Sequence, residues 1–181
     1  AEMCGNAIRS VGKFVYDHKL TTKKIITVET LGGIKTLELT VDNDIVTNIK
    51  ANIGKPIFDP KLIPVNINKD KFFLEPIKIL DKEFKMSSLS WGNPHTVIYV
   101  DDVSNFDVAK YGPAIEFNTA VFPKKTNVTF AEIVNPNYIK IREWERGTGE
   151  TIGCGTGCST AVVIGYELGL TNNVCTVEQI G

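Results

Sequence analysis

The sequence predicts an α+β fold that contains a duplicated unit, and two observations lead to this prediction. The first is an internal repeat: "CGNAIRSVGKFVYDHKLT", from Cys4 to Thr21, returns as "CGTGCSTAVVIGYELGLT", from Cys154 to Thr171. Both stretches have a Cys-Gly start, an aromatic residue followed by an acidic one, and a Leu-Thr end. The second is that the region between the copies is mostly strand-like. Agreement over this many ordered positions predicts two related halves.

Each copy predicts a helix after Cys-Gly, a turn at Leu-Thr and then a strand. The strand begins with Thr-Val-Glu both times, as "TVETLG" from Thr27 and "TVEQIG" from Thr176. In the first copy an alternating strand follows Gly32, turns at residues 42–44 and returns as a second strand. The second copy stops where its hairpin should begin, and few residues precede the first. We therefore expect a sequence cut at both ends, with one domain at residues 1–51 (start missing) and another at residues 52–181 (final hairpin missing).

The region between the copies predicts further strands and one short helical or irregular piece. We expect strands at Glu83–Ser88 and Thr96–Val103, on either side of the "WGNPH" turn. The segment "VAKYGPAIEFN" is expected to be limited by its Gly-Pro pair at 112–113. A hairpin is expected to turn at residues 135–137. Period-two geometry places four residues of its second strand on one face: Ile139, Ile141, Glu143 and Glu145.

Composition excludes several classes of partner. The chain has 181 residues, 43% of them hydrophobic, and a formal net charge of -1. This balance predicts a globular protein and offers no basic surface for nucleic acid or an acidic membrane. No apolar run approaches the roughly 20 residues needed to span a bilayer. We therefore expect a small-molecule ligand and neither nucleic acid nor a membrane as partner, and the sequence leaves a homodimer open.

The cysteines predict free thiols rather than a disulfide framework. They stand at positions 4, 154, 158 and 175, too few for a framework in a chain of this length, which favours a cytoplasmic protein. Cys154 and Cys158 are four residues apart, but the second ligand pair that zinc sites usually show is absent, so we expect no metal. We interpret Cys158, one helical turn in, and Cys175, on a buried strand, as packing residues.

A cysteine at the start of a helix suits acid-base chemistry. The first amides of a helix have no partner within it and that end is positive, so a thiolate there should be stabilised and its pKa lowered. The same amides suit a carboxylate or a developing oxyanion. Two such cysteines on opposite sides of a small ligand fit inversion of a stereocentre, in which one sulfur removes a proton while the other delivers one. Core packing is the competing interpretation for each cysteine.

Four motifs carry a resemblance to a known family. They are "MCGNAIR" from Met3, "GNPH" from Gly92, "TNV" from Thr126 and "ERGTGETIGCGTG" from Glu145, and in this order and spacing the chain resembles diaminopimelate epimerase. The resemblance implies two pseudo-symmetric domains, each a curled mixed or antiparallel sheet around a central helix, with the site in the cleft between them. It also implies cofactor-independent interconversion of LL- and meso-2,6-diaminopimelate in the biosynthesis of lysine and cell-wall precursors, without pyridoxal phosphate.

The resemblance also implies roles for individual residues. Cys4 and Cys154 would be the two catalytic thiols, with His95 as the partner of Cys4 and Glu145 as the partner of Cys154. Four residues would hold the distal amino-acid end of the substrate: Asn93, Asn127, Glu145 and Arg146. Four others would cradle the reacting carboxylate with backbone amides: Gly5, Asn6, Gly155 and Thr156.

Alternatives remain for several of these residues and for the function. His95 could be structural, Glu145 could merely pair with Arg146, and Asn6 and Thr156 could each be a helix N-cap. The nearest rival function is a racemase of another amino acid on the same fold. A rival of a different class is a thiol redox or metal-binding protein that uses Cys154 and Cys158.

Overall fold

The computed structural model describes residues 4–180 as two compact units that meet in sequence at Lys55 and Pro56. Met3 of the first motif and Gly181 of the second repeat lie outside the described residues. The sequence placed the boundary after residue 51, which is one residue before the end of the last strand of the first unit.

The first unit consists of one helix and a three-stranded antiparallel sheet. Its elements are α1 (Gly5–Asp17), β1 (Ile25–Thr30), β2 (Gly33–Asp42) and β3 (Ile45–Asn52), with sheet order β1-β2-β3. The predicted turn at residues 42–44 is confirmed: Asn43 and Asp44 have φ of 47° and 62° and join β2 to β3. Two central residues with positive φ match the twist of a tight hairpin. Ile8 and Tyr16 of α1 pack with Leu37, Leu39 and Val46 to form the core of this unit.

The second unit is built around a larger mixed sheet. Its strands are β4 (Glu75–Ile79), β5 (Lys82–Ser90), β6 (Pro94–Tyr99), β7 (Asn127–Asn135), β8 (Tyr138–Glu145), β9 (Gly149–Thr151) and β10 (Thr176–Glu178), and its helices are α2 (Val108–Glu116) and α3 (Gly155–Glu167). The sheet order is β10-β8-β7-β6-β5-β4, and β9 pairs with β8. The β6–β7 and β10–β8 pairs are parallel and the other pairs are antiparallel.

Most of the expected elements of this unit are confirmed, and two differ in extent. The hairpin of β7 and β8 turns at residues 135–137 as expected. The strand expected at Thr96–Val103 begins at Pro94 and ends at Tyr99. Helix α2 continues across Gly112-Pro113 instead of ending there. Gly112 is needed because a Cβ at this position would lie 2.6 Å from Cγ of Trp144, so the Gly-Pro pair reflects close packing rather than a stop.

Strand β8 buries alternate residues, and this alternation sets up the site. Ile139, Ile141 and Glu143 are buried, as predicted for one face, and Glu145 at the end of the strand is half-buried. The strand therefore aims one carboxyl group into the interior of the unit and a second towards its margin.

Candidate active site

The two repeated helices start with almost the same backbone conformation. The cap residue has φ −142° and ψ 105° at Cys4 and φ −134° and ψ 109° at Cys154. Each cysteine carbonyl accepts the first helical hydrogen bond, from Ile8 N at 3.1 Å and from Cys158 N at 3.0 Å. The suggestion that Asn6 and Thr156 are N-caps is wrong, because the cysteines occupy the cap positions. Neither cysteine side chain caps its own helix.

Cys4 lies on the surface of the first unit, beside an apolar groove. The thiol is exposed, and it lines a groove of about 510 Å³ together with Ala7, Ile8 and Val11 of α1 and the end of β1. Gly5 is buried below it. Asn6 Oδ1 accepts a 2.7 Å hydrogen bond from Arg9 Nη2, which holds the amide along the helix. The first turn of α1 therefore presents a thiol on an open apolar surface.

Cys154 is instead buried, and a glutamine holds its backbone. Cys154 N donates to Gln179 Oε1 at 2.9 Å, and Gln179 Nε2 donates to the Cys154 carbonyl at 3.0 Å. Gln179 thus contacts residue 154 much as a neighbouring strand would. Gly153 makes room for this contact, because a Cβ there would lie 2.6 Å from Gln179 Oε1. No sequence motif pointed to Gln179 as a site residue, although it lies within the repeated "TVEQIG" segment.

The Cys154 thiol is a poor acid in this setting. Burial, followed by the negative charge of Glu143, raises its pKa to about 12, and Glu145 adds to the rise. Thr156 Oγ1, 3.4 Å from the sulfur, and the backbone of Gly157 act in the opposite direction. The expectation that the helix start lowers the pKa of Cys154 is therefore wrong, since desolvation and two carboxylates outweigh one helix terminus.

His95 is fully buried on β6 and is held neutral. Burial, with a smaller contribution from the charge of Arg146, lowers its pKa to about 3. Asn93 Nδ2 lies 3.2 Å from His95 Nε2, and the other ring nitrogen, Nδ1, lies 3.8 Å from Glu143 Oε1. Asn93 Oδ1 is buried and has no hydrogen-bond partner among the described residues. The ring is thus fixed between an amide and a carboxyl group.

Glu145 and Arg146 contact different groups. Glu145 Oε1 accepts a 2.6 Å hydrogen bond from Thr151 Oγ1 across the β8–β9 pair. The guanidinium of Arg146 donates to the Lys124 carbonyl at 3.2 Å. The carboxylate of Glu145 is near enough to Cys154 to raise the pKa of that thiol.

Asn127 ties two of the predicted site segments together. Its Nδ2 donates to the Pro94 carbonyl at 2.9 Å, and its Oδ1 accepts from Arg146 N at 2.9 Å. The "GNPH" and "ERG" motifs are thereby held on either side of one buried amide. In the second unit the described contacts link Asn93 with His95 and Asn127 with Arg146. Glu145 acts on Cys154 through its charge, and Gly155 and Thr156 directly follow Cys154. Cys4, Gly5 and Asn6 belong to the first unit.

Glu143 is the buried ionisable group that sequence analysis did not assign to the site. It stands on β8 between Thr129 on β7 and Thr151 on β9 in the strand register. Its carboxyl group packs against the first turn of α3, where a Cβ on Gly157 would lie 2.4 Å from Oε2. The available signal was an acidic residue that directly follows two isoleucines, Ile139 and Ile141, on the same face of the strand.

The other two cysteines have less buried surroundings than expected. Cys175 precedes β10, is half-buried, and donates its thiol to the Pro136 carbonyl at 3.1 Å, so its placement on a buried strand is wrong. Cys158 is half-buried in α3 and contacts Gln179 Nε2. Across residues 4–180 there is no group of three or more His, Cys, Asp or Glu side chains arranged to hold a metal ion. No helix in this range is long and apolar enough to cross a membrane.

Comparison with known sequences gives a consistent result. A family model described as diaminopimelate epimerase matches residues 1–58 and 87–181. A protein named diaminopimelate epimerase from Acetivibrio thermocellus is 47% identical over 181 residues, which is 100% of this chain and 64% of that protein. Another with the same name, from Methanococcus maripaludis strain C6, is 45% identical over 100% of this chain and 65% of its own length. The chain thus spans about two thirds of the length of these relatives.

Solved structures with low sequence identity share the fold. A phenazine biosynthesis protein of the PhzF family from Bacillus anthracis has a TM-score of 0.60 at 19% identity, covering 99% of this chain and 63% of that one. A hydroxyproline epimerase from Agrobacterium vitis has a TM-score of 0.61 at 11% identity, covering 90% and 51%. These likenesses, with the two sheets and three helices in residues 4–180, confirm the predicted α+β fold.

Proposed function

Because the chain belongs to the diaminopimelate epimerase family, we propose that the protein is an isomerase that inverts one α-carbon of LL-2,6-diaminopimelate to give the meso form. The reaction uses no cofactor and serves the biosynthesis of lysine and cell-wall precursors. The observation that carries the proposal is the repeated helix start, which presents Cys4 and Cys154 on nearly identical backbones.

The proposed mechanism transfers one proton off the α-carbon and another onto its opposite face. The thiolate of Cys4 takes the α-proton, the electron pair moves into the substrate carboxylate, and the thiol of Cys154 gives its proton to the other face. Cys4 then carries a proton and Cys154 is a thiolate, and the reverse reaction exchanges these roles. Cys154 suits the donor role because its raised pKa keeps the proton on sulfur at neutral pH.

Positive helix ends support the charge that develops on the substrate. Backbone amides of Gly5 and Asn6 on one helix and of Gly155 and Thr156 on the other are proposed to face the reacting carboxylate. Donors aimed at a developing oxyanion contribute about 3 kcal/mol each to catalysis. The Cys154 thiolate, once formed, remains within reach of Thr156 Oγ1 and the Gly157 backbone, which lower its pKa.

The distal amino-acid end is proposed to bind to the second unit. An ammonium and a carboxylate call for amide oxygens, a carboxylate and a guanidinium. Asn93 Oδ1, which is buried and has no described partner, is suited to accept from the ammonium. Asn127, Glu145 and Arg146 complete this set, and His95 is proposed to polarise Cys4.

The proposed chemistry also favours a reducing compartment. Two catalytic thiols must remain reduced, and no disulfide joins any of the four cysteines within the described residues. Because glutathione and thioredoxin keep cytosolic thiols reduced, we propose a cytoplasmic enzyme. A homodimer stays a prediction from the sequence.

The test is incubation of the complete protein with LL-diaminopimelate in heavy water. The proposal expects meso product that carries deuterium only at the inverted α-carbon, because the incoming proton comes from a thiol that exchanges with solvent. If the protein instead inverts a different amino acid with the same labelling, the proposed substrate is wrong and the proposed mechanism is retained. Absence of any inversion, together with stoichiometric zinc in the purified protein, would favour the metal-binding alternative and overturn the proposal.

A further inference from the structure

The second unit contains two buried glutamates that differ in whether their carboxyl oxygens accept hydrogen bonds. Glu116, 1% exposed, accepts hydrogen bonds from Trp144 Nε1 at 2.8 Å and from Gly147 N at 2.9 Å. Glu143, 2% exposed, has no hydrogen bond of ordinary length to either carboxyl oxygen among the described residues. Buried polar groups are normally satisfied, so an unsatisfied carboxyl group that raises the pKa of the Cys154 thiol requires an explanation.

The surroundings of Glu143 are polar but leave its oxygens without full partners. His95 Nδ1, 3.8 Å from Oε1, is itself buried and lacks a hydrogen bond in the described structure, as does Thr129 Oγ1 on the neighbouring strand. On the helix side, the absence of a side chain at Gly157 makes room for the carboxyl group, because a Cβ there would lie within 2.4–2.6 Å of it. The carboxyl group is therefore wedged between β6, β7 and the first turn of α3.

Three titratable groups face this carboxyl from the elements packed around it. They are His95 on β6, Cys154 at the start of α3, and Glu145 on β8 itself. Arg146 faces His95 in turn. Burial has the largest effect on the pKa of Glu143 and raises it; Thr129 lowers it, the charge of Glu145 raises it, and Cys154 lowers it. A second negative charge beside Glu143 is therefore unfavourable. Because a carboxyl group loses its proton at lower pH than a thiol, Glu143 ionises before Cys154 does.

We propose that Glu143 is a positioning residue for Cys154: its buried carboxyl group, set between His95 and the first turn of α3, keeps the Cys154 sulfur in its thiol form and so makes this sulfur the proton donor. Once the carboxyl group is ionised, its charge opposes the formation of a neighbouring thiolate. The inference rests on the donor role of Cys154 under the proposed function, and it concerns a residue outside the four family motifs.

The test is the pH dependence of alkylation at Cys154 in wild-type protein and in Glu143→Gln. Iodoacetamide reacts with the thiolate, and the peptide that contains Cys154 is quantified by mass spectrometry. Removing the charge of Glu143, which raises the pKa of the Cys154 thiol, should lower the pH midpoint, so that alkylation of Cys154 at pH 8 becomes at least about tenfold faster. An unchanged midpoint overturns the proposal. This readout needs no substrate, so it can fail while the heavy-water test succeeds.

Controls separate this electrostatic effect from loosening of the fold. Glu116→Gln removes the other buried carboxylate and should leave the Cys154 midpoint unchanged. General opening would also accelerate alkylation of Cys158 and Cys175, so equal acceleration at all three sites counts against the proposal. In turnover, the alkaline limb of the kcat profile should move to lower pH in Glu143→Gln, because the donor proton is lost earlier.

A second measurement covers the case in which Glu143→Gln does not fold. In wild-type protein, infrared difference spectra before and after alkylation of Cys154 should show a change in the carboxyl bands of a buried acid. The account expects this change because alkylation removes the Cys154 S–H group, whose contact with the Glu143 carboxyl group lowers the pKa of that carboxyl group. Spectra without any carboxyl change would contradict it.

Discussion

The two Cys-Gly helices are alike in backbone and unlike in surroundings. Both have 13 residues, and both end in a turn in which the next residue has positive φ, 60° at Lys19 and 71° at Gly169. The following Leu-Thr pair then donates back into the last turn in each copy, to Val15 O and to Gly165 O. The repeat in the sequence is thus a repeat in local structure from the cap to the final turn.

The environments of the two sulfurs differ in exposure and in nearby charge. Cys4 is exposed beside an apolar groove, whereas Cys154 is buried near Glu143 and Glu145. Gln179 clamps the backbone of Cys154, and the equivalent position of the first copy is Thr30, whose hydroxyl donates to Gly33 O. Duplication therefore copied the position of a thiol, while later differences in packing set how exposed each thiol is and which charges lie near it.

The largest expected effect comes from removing either sulfur. Cys4→Ala and Cys154→Ala should each lower epimerisation by at least about a thousandfold, because loss of a general acid or base removes a proton-transfer step. Turnover of LL-diaminopimelate measures this. Cys175→Ala is the matched control and should keep its activity. Substantial turnover in either Cys4→Ala or Cys154→Ala would mean that epimerisation does not need a thiol from each of the two helices.

The next effect sharpens the contrast between the two thiols. With a pKa of about 12, roughly one Cys154 in ten thousand is thiolate at pH 8. We expect iodoacetamide to modify exposed Cys4 at least about a hundredfold faster than Cys154 in protein without substrate, as measured by peptide mass spectrometry. Equal rates would show that the surroundings do not distinguish the sulfurs.

The two hydrogen bonds between Gln179 and the backbone of Cys154 predict a smaller difference between the copies, in amide exchange. Gln179→Ala removes both side-chain hydrogen bonds to Cys154, so amide exchange at Cys154 should accelerate by about tenfold or more. Hydrogen exchange with peptide-level mass spectrometry checks this. Thr30→Ala, the equivalent change in the first copy, should leave exchange at Cys4 unaltered, and the reverse pattern would refute the role of the clamp.

The smallest effect is on stability and depends on pH. Because burial raises the pKa of Glu143, the folded state binds this proton more tightly than the unfolded chain, and stability falls as pH rises above the ordinary carboxyl range. Glu143→Gln should therefore raise the free energy of unfolding by about 1–2 kcal/mol at pH 8 and lose this gain near pH 4. Urea titrations at the two pH values measure it.

The buried Glu116 provides the opposite case. Glu116→Gln weakens charge-assisted hydrogen bonds to Trp144 and Gly147, so it should destabilise the protein by about 1–3 kcal/mol at both pH values. If both glutamine variants were destabilising at pH 8, Glu143 would be an ordinary structural residue.

Local patterns in the sequence predicted the elements that depend on local structure. The helix starts after Cys4 and Cys154 and the hairpin turn at Asn43 and Asp44 follow from residues adjacent in the chain. Glu143 was placed on the correct face of β8, because strand alternation is also local.

The features that were missed depend on residues distant in sequence. The contact between Gln179 and Cys154 spans 25 positions. The raised pKa of Cys154 needs burial and the carboxyl group of Glu143 on another element, neither of which a helix cap reveals. Likewise, α2 runs through Gly112-Pro113 because Trp144, 32 positions later, packs on the glycine.

The most direct test is mild oxidation of the complete protein followed by peptide mapping. If the two sulfurs serve opposite faces of one carbon as proposed, we expect them to come close enough for a disulfide when the ligand is absent. A disulfide requires Cα atoms within about 7 Å. The account predicts a Cys4–Cys154 crosslink whose formation abolishes activity and whose reduction restores it. Oxidation that leaves both cysteines unlinked, or joins either one to Cys158 or Cys175 instead, would contradict it.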